Sequence, residues 1–257
     1  MHRFFVKEKN IENDVVEISG EDFNHISNSL RLQPGDKIIV SPGQGYDYTV
    51  KLADFEDETV IGKIIEKKEN KSEPKMKVDL GQAIPKNRNI ELVIQKGTEI
   101  GVNQIIPLST DRTIVKLYGS KEKRRINRWQ KIAKEAAKQS QRGIIPDVKS
   151  VVDLSNQDEI SKLFSGYDLI LVLYAGQTKS SIKQILDEYK ETNVKNILVL
   201  IGPEGGFTED ELNKFHQNSS QENNVQTISL GERILRTETA GIVALSTILY
   251  EFGDLGG

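Results

Sequence analysis

Two uninterrupted apolar runs, Leu-Ile-Leu-Val-Leu at 169–173 and Ile-Leu-Val-Leu-Ile closing 196–201, constrain this chain more than any other feature. Runs of this kind are the strands that a parallel sheet buries on both faces. Around them the rhythm is strand, helix, strand, helix. Residues 77–83 read as a strand and 90–100 as a helix closed by Gly101 at its C-cap. A strand at 104–108 precedes a long amphipathic helix over 121–141, and a helix over 180–189 joins the two apolar strands. Thr208-Glu209-Asp210-Glu211 is a capping box opening a helix near 208–216. A strand at 225–230 and a helix at 237–250 end the series. The alternation predicts an α/β domain with helices covering a mostly parallel sheet.

The first part of the chain has a different texture. Short runs at 3–6, 15–18, 37–40, 46–52 and 59–65 are separated by turn formers such as Gln33-Pro34-Gly35-Asp36 and Ser41-Pro42-Gly43-Gln44-Gly45. Strands at this spacing suggest a compact barrel or sandwich. Residues 21–32 read as a helix ending at Gln33, because Pro34 disfavours the α conformation before it. The polar stretch KKENKSEPK at 67–75 is the linker candidate. A length of 257 residues suits this division into domains at 1–70 and 75–257.

Composition removes several chemistries. There is no cysteine, hence no disulfide, thiolate metal site or thiol nucleophile. His2, His25 and His216 lie far apart, so no metal is expected. No apolar run approaches the roughly 20 residues that span a bilayer. The opening MHRFFVKEKN lacks the pattern of a signal peptide, so a cytoplasmic protein without membrane contact is expected. The formal charge of −3 conceals three blocks: net −6 over residues 1–60, +11 over 61–150 and −8 over 151–257. The middle block is either a polyanion-binding face or a solvated lysine-rich surface. A phosphate-binding G-x-x-x-x-G-K-[ST] loop is absent, as are a strand-linked G-x-G-x-x-G turn and a G-x-S-x-G elbow.

Open α/β sheets bind ligands beyond the carboxyl ends of their strands. Three loops meet that criterion: Tyr174-Ala175-Gly176-Gln177, Gly202-Pro203-Glu204-Gly205-Gly206-Phe207, and Gly231-Glu232-Arg233-Ile234-Leu235-Arg236-Thr237. The second is distinctive, since three glycines and a proline after an apolar strand let the backbone turn sharply and approach a ligand. Alone it also fits a tight structural turn.

Paired, Ile201-Gly202-Pro203-Glu204-Gly205-Gly206 and the run from Ser229-Leu230-Gly231 through Leu235-Arg236-Thr237-Glu238-Thr239-Ala240 resemble the signature of the ribosomal small-subunit methyltransferase E family. The resemblance extends to His2-Arg3-Phe4-Phe5, to His25 with Leu30-Arg31-Leu32, to Lys96 and Glu99-Ile100-Gly101, and to Gln139-Ser140-Gln141-Arg142. It thus covers nearly the whole chain; Ile100, where the family carries leucine, is a conservative departure. It implies a SPOUT-type α/β domain with a C-terminal trefoil knot, preceded by a small β-rich PUA-like barrel. It further implies S-adenosyl-L-methionine as methyl donor, N3 of a uridine in 16S ribosomal RNA as acceptor, engagement of the small ribosomal subunit, and a homodimer. Two alternatives stay open: another RNA position (a ribose 2′-hydroxyl or transfer RNA), and a catalytically silent RNA-binding ribosome-assembly factor.

On that resemblance, Leu173, Tyr174, Ile201, Gly202, Pro203, Gly205, Leu230, Gly231, Leu235, Thr237 and Ala240 are the expected cofactor-binding residues. Leucine and isoleucine beside glycine offer adenine an apolar slot and backbone hydrogen bonds. Arg236 and Glu238 are the catalytic candidates. A permanent cation favours the deprotonated form of a nearby acid but cannot act as a base, whereas Glu238 is a base or a carboxylate favoured at a helix N-terminus. Glu204 fixes the turn or touches the ribose, with the structural role preferred. Arg3, Arg31, Lys96, Arg124, Arg125, Arg128 and Arg142 are the RNA-binding candidates. Trp129 reads as a core anchor and His25 as a structural hydrogen-bonder. Ala240, Gly241 and Ala244 leave room for close packing on a knot or a second subunit.

Overall fold

The computed structural model describes residues 1–87, 89–174, 176, 180–219 and 224–256. The chain divides into two units, Met1–Glu73 with Ala137–Ile145, and Pro74–Ala136 with the chain from Pro146 onward. Among the described residues, no helix is long and apolar enough to cross a membrane.

Alternation builds the first unit. It contains β1 (Arg3–Phe5), β2 (Ile11–Glu12), β3 (Val15–Ser19), the short helix α1 (Glu21–Asn24), β4 (Lys37–Ser41), β5 (Tyr46–Phe55) and β6 (Thr59–Glu69). The sheet order is β1-β4-β5-β6-β3-β2, an open, half-barrel arrangement in which β1 pairs parallel to β4 and the other pairings are antiparallel. Val16, Ile18, Ile38, Val40, Val50 and Leu52 alternate inward around Phe4 and Ile26. The expected helix over 21–32 is shorter: α1 runs into one π-helical turn, His25–Ser29, and Arg31 takes a left-handed conformation at φ 53° that stops it before Pro34 acts.

Ion pairing explains why Ala137–Ile145 groups with this unit. Arg3, 7% exposed, binds both carboxylate oxygens of Asp47 at 2.6 Å and donates to the Arg142 carbonyl at 3.0 Å. Arg142, 3% exposed, pairs with Glu73 at 2.6 Å, and Glu73 also accepts from the backbone N–H groups of Gly143 and Ile144.

The second unit is the α/β domain. Its elements are β7 (Lys77–Ala83), α2 (Asn89–Ile100), β8 (Gln104–Ser109), α3 (Gly119–Gln139), β9 (Asp147–Val148), β10 (Val152–Asp153), α4 (Gln157–Phe164), β11 (Leu169–Leu173), α5 (Ile182–Tyr189), β12 (Asn196–Ile201), α6 (Glu209–Gln217), β13 (Asn224–Ile228) and α7 (Thr237–Glu251). From Ala137 the end of α3 groups with the first unit. The sheet order is β10-β8-β7-β12-β11-β13, with β9 also on β8, and every pairing is parallel. β11 and β12, the two apolar runs, lie side by side in the interior and are buried almost throughout.

Both faces of this sheet are covered. Leu198 and Leu200 pack with Ile160 and Phe164 of α4 and with Phe207 and Phe215, forming one core layer. β7 and β12 also meet α7, where Leu245, Ile248 and Leu249 are buried. A large aliphatic side chain withdrawn from water contributes about 1.5–3 kcal/mol, so these layers dominate the stability. The capping box at Thr208 and Glu211 is present, and a second forms at Ser181 and Gln184. Trp129 is fully buried, as its reading as an anchor required. Helix α4 and the two-residue strands lacked a sequence signal strong enough to mark them.

Candidate active site

The carboxyl ends of β7, β11, β12 and β13 surround a cavity of about 490 Å³. The site is built from the loops that follow those strands and from the first turn of α7. Leu173 and Tyr174 leave β11, and the Tyr174 N–H donates to the Ile228 carbonyl at 3.1 Å, tying two loops together. Ile201, Gly202 and Pro203 leave β12, while Leu230, Gly231, Leu235, Arg236, Thr237, Glu238 and Ala240 close the opposite wall. Ala175 and Gln177 of the β11 loop lie outside the described residues, as do residues 220–223 of the Asn/Gln/Ser-rich stretch 217–224.

The glycine-rich turn has a definite construction. The Gly206 N–H donates to the Pro203 carbonyl at 2.8 Å, and Gly206 sits at φ 69°, a conformation that L side chains seldom adopt. A Cβ on Gly202 would stand 3.1 Å from the Gly206 backbone and the Phe207 nitrogen, so only glycine fits without moving the turn. Gly205 is different. It does not line the cavity, and a Cβ there would meet only the exposed side chain of Arg112. Gly205, expected at the cofactor, is set behind the cavity wall, which Gly206 lines. Arg112 braces the turn from outside by donating to the carbonyls of Gly205 and Phe207.

Glu204 accepts from the Lys86 N–H at 2.9 Å and so fixes the loop after β7. That loop brings Lys86, Asn87 and Asn89 to the cavity, three residues that the sequence reading missed. The signal was available, because they follow a buried strand of the same sheet. Thr237 donates to the Gly202 carbonyl at 2.6 Å and joins the two motifs that are 35 residues apart. Arg236 is exposed at the rim, with Ile234 beside it at 88% exposure. Glu238 is buried, and its Oε1 accepts from Asn89 Nδ2 at 3.1 Å. An acidic acceptor in the wall, a permanent cation at the rim and apolar sides suit an aromatic ligand and a proton-transfer step.

The RNA-binding candidates separate into two groups. Arg3 and Arg142 are buried and committed to carboxylates, which leaves neither guanidinium a face for phosphate; that expectation is corrected. Arg31, Arg124 and Arg128 are exposed and Arg125 is half-buried. Arg128 pairs with Glu91 at 2.9 Å and Lys96 with Glu99 at 2.8 Å, both in solvent-reached positions from which a cation can exchange partners. Gly241 and Ala244 pack inside this chain: a Cβ on Gly241 would point at Gln82, Leu80 and Ile201, and Ala244 is fully buried. His25 makes an edge contact with Phe4.

Comparison with known proteins gives consistent matches over both units. A family model described as an RNA methyltransferase domain matches residues 71–249, and one described as an RNA methyltransferase PUA domain matches residues 18–65. The chain is 34% identical to ribosomal RNA small subunit methyltransferase E of Bacillus subtilis (strain 168), covering 100% of this chain and 99% of that protein. It is 35% identical to the protein of the same name from Mesomycoplasma hyopneumoniae (strain 232), covering 98% and 100%. A crystal structure of ribosomal RNA small subunit methyltransferase E from Neisseria gonorrhoeae bound to S-adenosyl methionine superposes with a TM-score of 0.85, at 27% identity and with 100% of both chains covered.

Proposed function

From the premise that this chain belongs to the RNA methyltransferase family, we propose that it transfers a methyl group from S-adenosyl-L-methionine to N3 of a uridine in 16S ribosomal RNA. The observation that carries this reading is the cavity at the strand ends, walled by the two motif loops and closed around the Gly202 turn. Its volume of about 490 Å³ suits a nucleoside-sized ligand, and its Leu, Ile and Gly lining suits adenine. Leu173, Tyr174, Ile201, Gly202, Pro203, Leu230, Gly231, Leu235, Thr237 and Ala240 hold the cofactor in this reading. When bound, the cofactor supplies an electrophilic methyl on a sulfonium.

The chain's own residues prepare the acceptor. Uridine N3 carries a proton that must leave before or as the N–C bond forms. The Arg236 guanidinium stabilises the negative charge that develops on N3 and the adjoining carbonyl oxygens. Glu238, steadied by Asn89, takes the N3 proton. The loops hold donor and acceptor in line and exclude water, which accounts for much of the acceleration in a reaction of this kind. Arg31, Lys96, Arg124, Arg125 and Arg128 contact RNA phosphates. They supply affinity without choosing the base.

The C-terminal trefoil knot, the homodimer and action within the small ribosomal subunit belong to the same proposal. Val243 and Tyr250 on α7 remain exposed, which supports a second subunit there. The deciding experiment is mass spectrometry of 16S ribosomal RNA nucleosides from cells with and without the gene. Loss of 3-methyluridine on deletion, restored by the purified protein with S-adenosyl-L-methionine, is the expected result. A 16S RNA with unchanged 3-methyluridine refutes the assignment.

A further inference from the structure

We propose that Gln82 is a positioning residue for the cofactor, acting through a directed hydrogen-bond relay beneath the cavity; this rests on the cofactor reading above. Gln82 lies on β7 in register with Ile201 of β12, so its side chain reaches the start of the Gly202 turn. It is fully buried. Its Nε2 donates to Thr237 Oγ1 at 2.8 Å and to the Ala83 carbonyl at 3.2 Å, which uses both amide protons. Those two acceptors determine which end of the amide is nitrogen, since the reversed amide would aim its oxygen at the Ala83 carbonyl.

The direction has a consequence for Thr237. Its hydroxyl has one proton and already receives one from Gln82, so that proton goes to the Gly202 carbonyl, 2.6 Å away. The relay therefore runs from β7 through the first residue of α7 to the turn after β12. It locks together two walls of the same cavity, because both Gly202 and Thr237 line it.

The far end of the amide shows that packing alone does not account for this residue. Gln82 Oε1 is buried and accepts no hydrogen bond. A Cβ on Gly241 would lie 2.8 Å from it, so α7 passes directly over the oxygen. A buried acceptor without a donor is costly, and an apolar side chain of the same shape would avoid that cost. What an apolar residue cannot supply is the donation to Thr237.

The test measures S-adenosyl-L-methionine binding by calorimetry, and steady-state kinetics on 16S RNA, for Gln82→Met, Thr237→Val, their combination, and Thr237→Ser. Gln82→Met and Thr237→Val should each weaken cofactor binding about tenfold and raise its KM to match, while kcat at saturating cofactor falls less than about twofold. The double variant should bind no more weakly than the worse single, since both break one relay. Thr237→Ser, which keeps the hydroxyl, should recover most of the affinity that Thr237→Val loses. Wild-type affinity in Gln82→Met overturns the relay, as do additive losses in the double variant. Failure of the wild type itself to bind the cofactor overturns the underlying functional reading instead, so the two failures are distinguishable. Should Gln82→Met not fold, Gln82→Leu answers the same question: it too leaves Thr237 without its donor and must weaken binding, and unchanged affinity there also overturns the relay.

Discussion

Replacing Gly202 by alanine tests whether the glycine-rich turn is the part of the site that must close. The added Cβ would stand 3.1 Å from three backbone atoms, Gly206 Cα, Gly206 C and Phe207 N. Ordinary contact begins near 3.4 Å, so the turn has to open by a few tenths of an ångström. Backbone cannot swing aside as the end of a flexible side chain can. Overpacking of this type costs about 1–3 kcal/mol. In the free protein that strain is relieved by stretching the 2.8 Å bond from the Gly206 N–H to the Pro203 carbonyl. Ligand binding must close the turn again, so the cost reappears in the affinity, as a loss of about 5- to 150-fold. Gly205→Ala is the matched control. Its Cβ meets Cδ of Arg112 at 3.1 Å, and that exposed side chain can give by a few tenths of an ångström while its guanidinium keeps the Gly205 and Phe207 carbonyls, so affinity should change by less than about threefold. Calorimetry with S-adenosyl-L-methionine on both variants, with thermal midpoints alongside, measures the difference. If Gly202→Ala binds as the wild type does, or Gly205→Ala loses as much affinity as Gly202→Ala, the turn is not working in this way.

Three further outcomes are expected. Arg236→Ala should slow single-turnover methylation by about 10²–10³ while leaving cofactor affinity nearly intact, with partial recovery in Arg236→Lys; a wild-type single-turnover rate removes Arg236 from the chemistry. Joint replacement of Arg124, Arg125 and Arg128 by alanine should weaken RNA binding and flatten the dependence of log affinity on log salt by about 2, whereas an unaltered slope means that α3 faces elsewhere. Burial first, and then the charge and hydrogen bond of Asp79, raise the Tyr167 phenol above its ordinary value of 10.0, so the folded state holds this proton more tightly than the unfolded chain. The stability contributed is complete below about pH 10 and is lost as pH rises beyond it. In denaturant titrations from pH 8 to 11, the advantage of wild type over Tyr167→Phe should therefore shrink above pH 10, and a constant gap contradicts it.

The α/β architecture was legible because its determinants are local. The apolar runs of β11 and β12 need no partner to be recognised as strands buried on both faces. The Thr208–Glu211 capping box lies within four residues of sequence. Errors arose where one residue overrode a pattern, as where Arg31 in a left-handed conformation ended the helix that Pro34 was expected to end. Isolated charges were the other blind spot. Arg3 and Arg142 read as surface cations because nothing adjacent in sequence reveals Asp47 and Glu73, to which folding delivers them. A charge is taken inward only with such a partner, since burying one unpaired costs far more than most contacts return.

The candidate site divides along the same physical line. Residues on the loops after β11, β12 and β13 were readable because strand-to-loop junctions in a parallel sheet share one edge, and sequence alone marks the junctions. The order of strands along that edge is not written locally. β7 lies between β8 and β12 in space although its last residue, Ala83, and the first of β12, Asn196, are 113 positions apart in sequence, which is why Lys86, Asn87 and Asn89 were missed and why Gln82 looked like an ordinary strand residue. Register then does what motif spacing cannot. With Gln82 opposite Ile201, a one-residue slip would turn the amide to the other face, among Leu108 and Leu200, and leave Thr237 without its donor. The turn, the helix start and the strand beneath them thus form one unit only once β7 and β12 have paired. Cofactor affinity should on this ground be among the last properties acquired on folding and among the first lost when the sheet edge loosens.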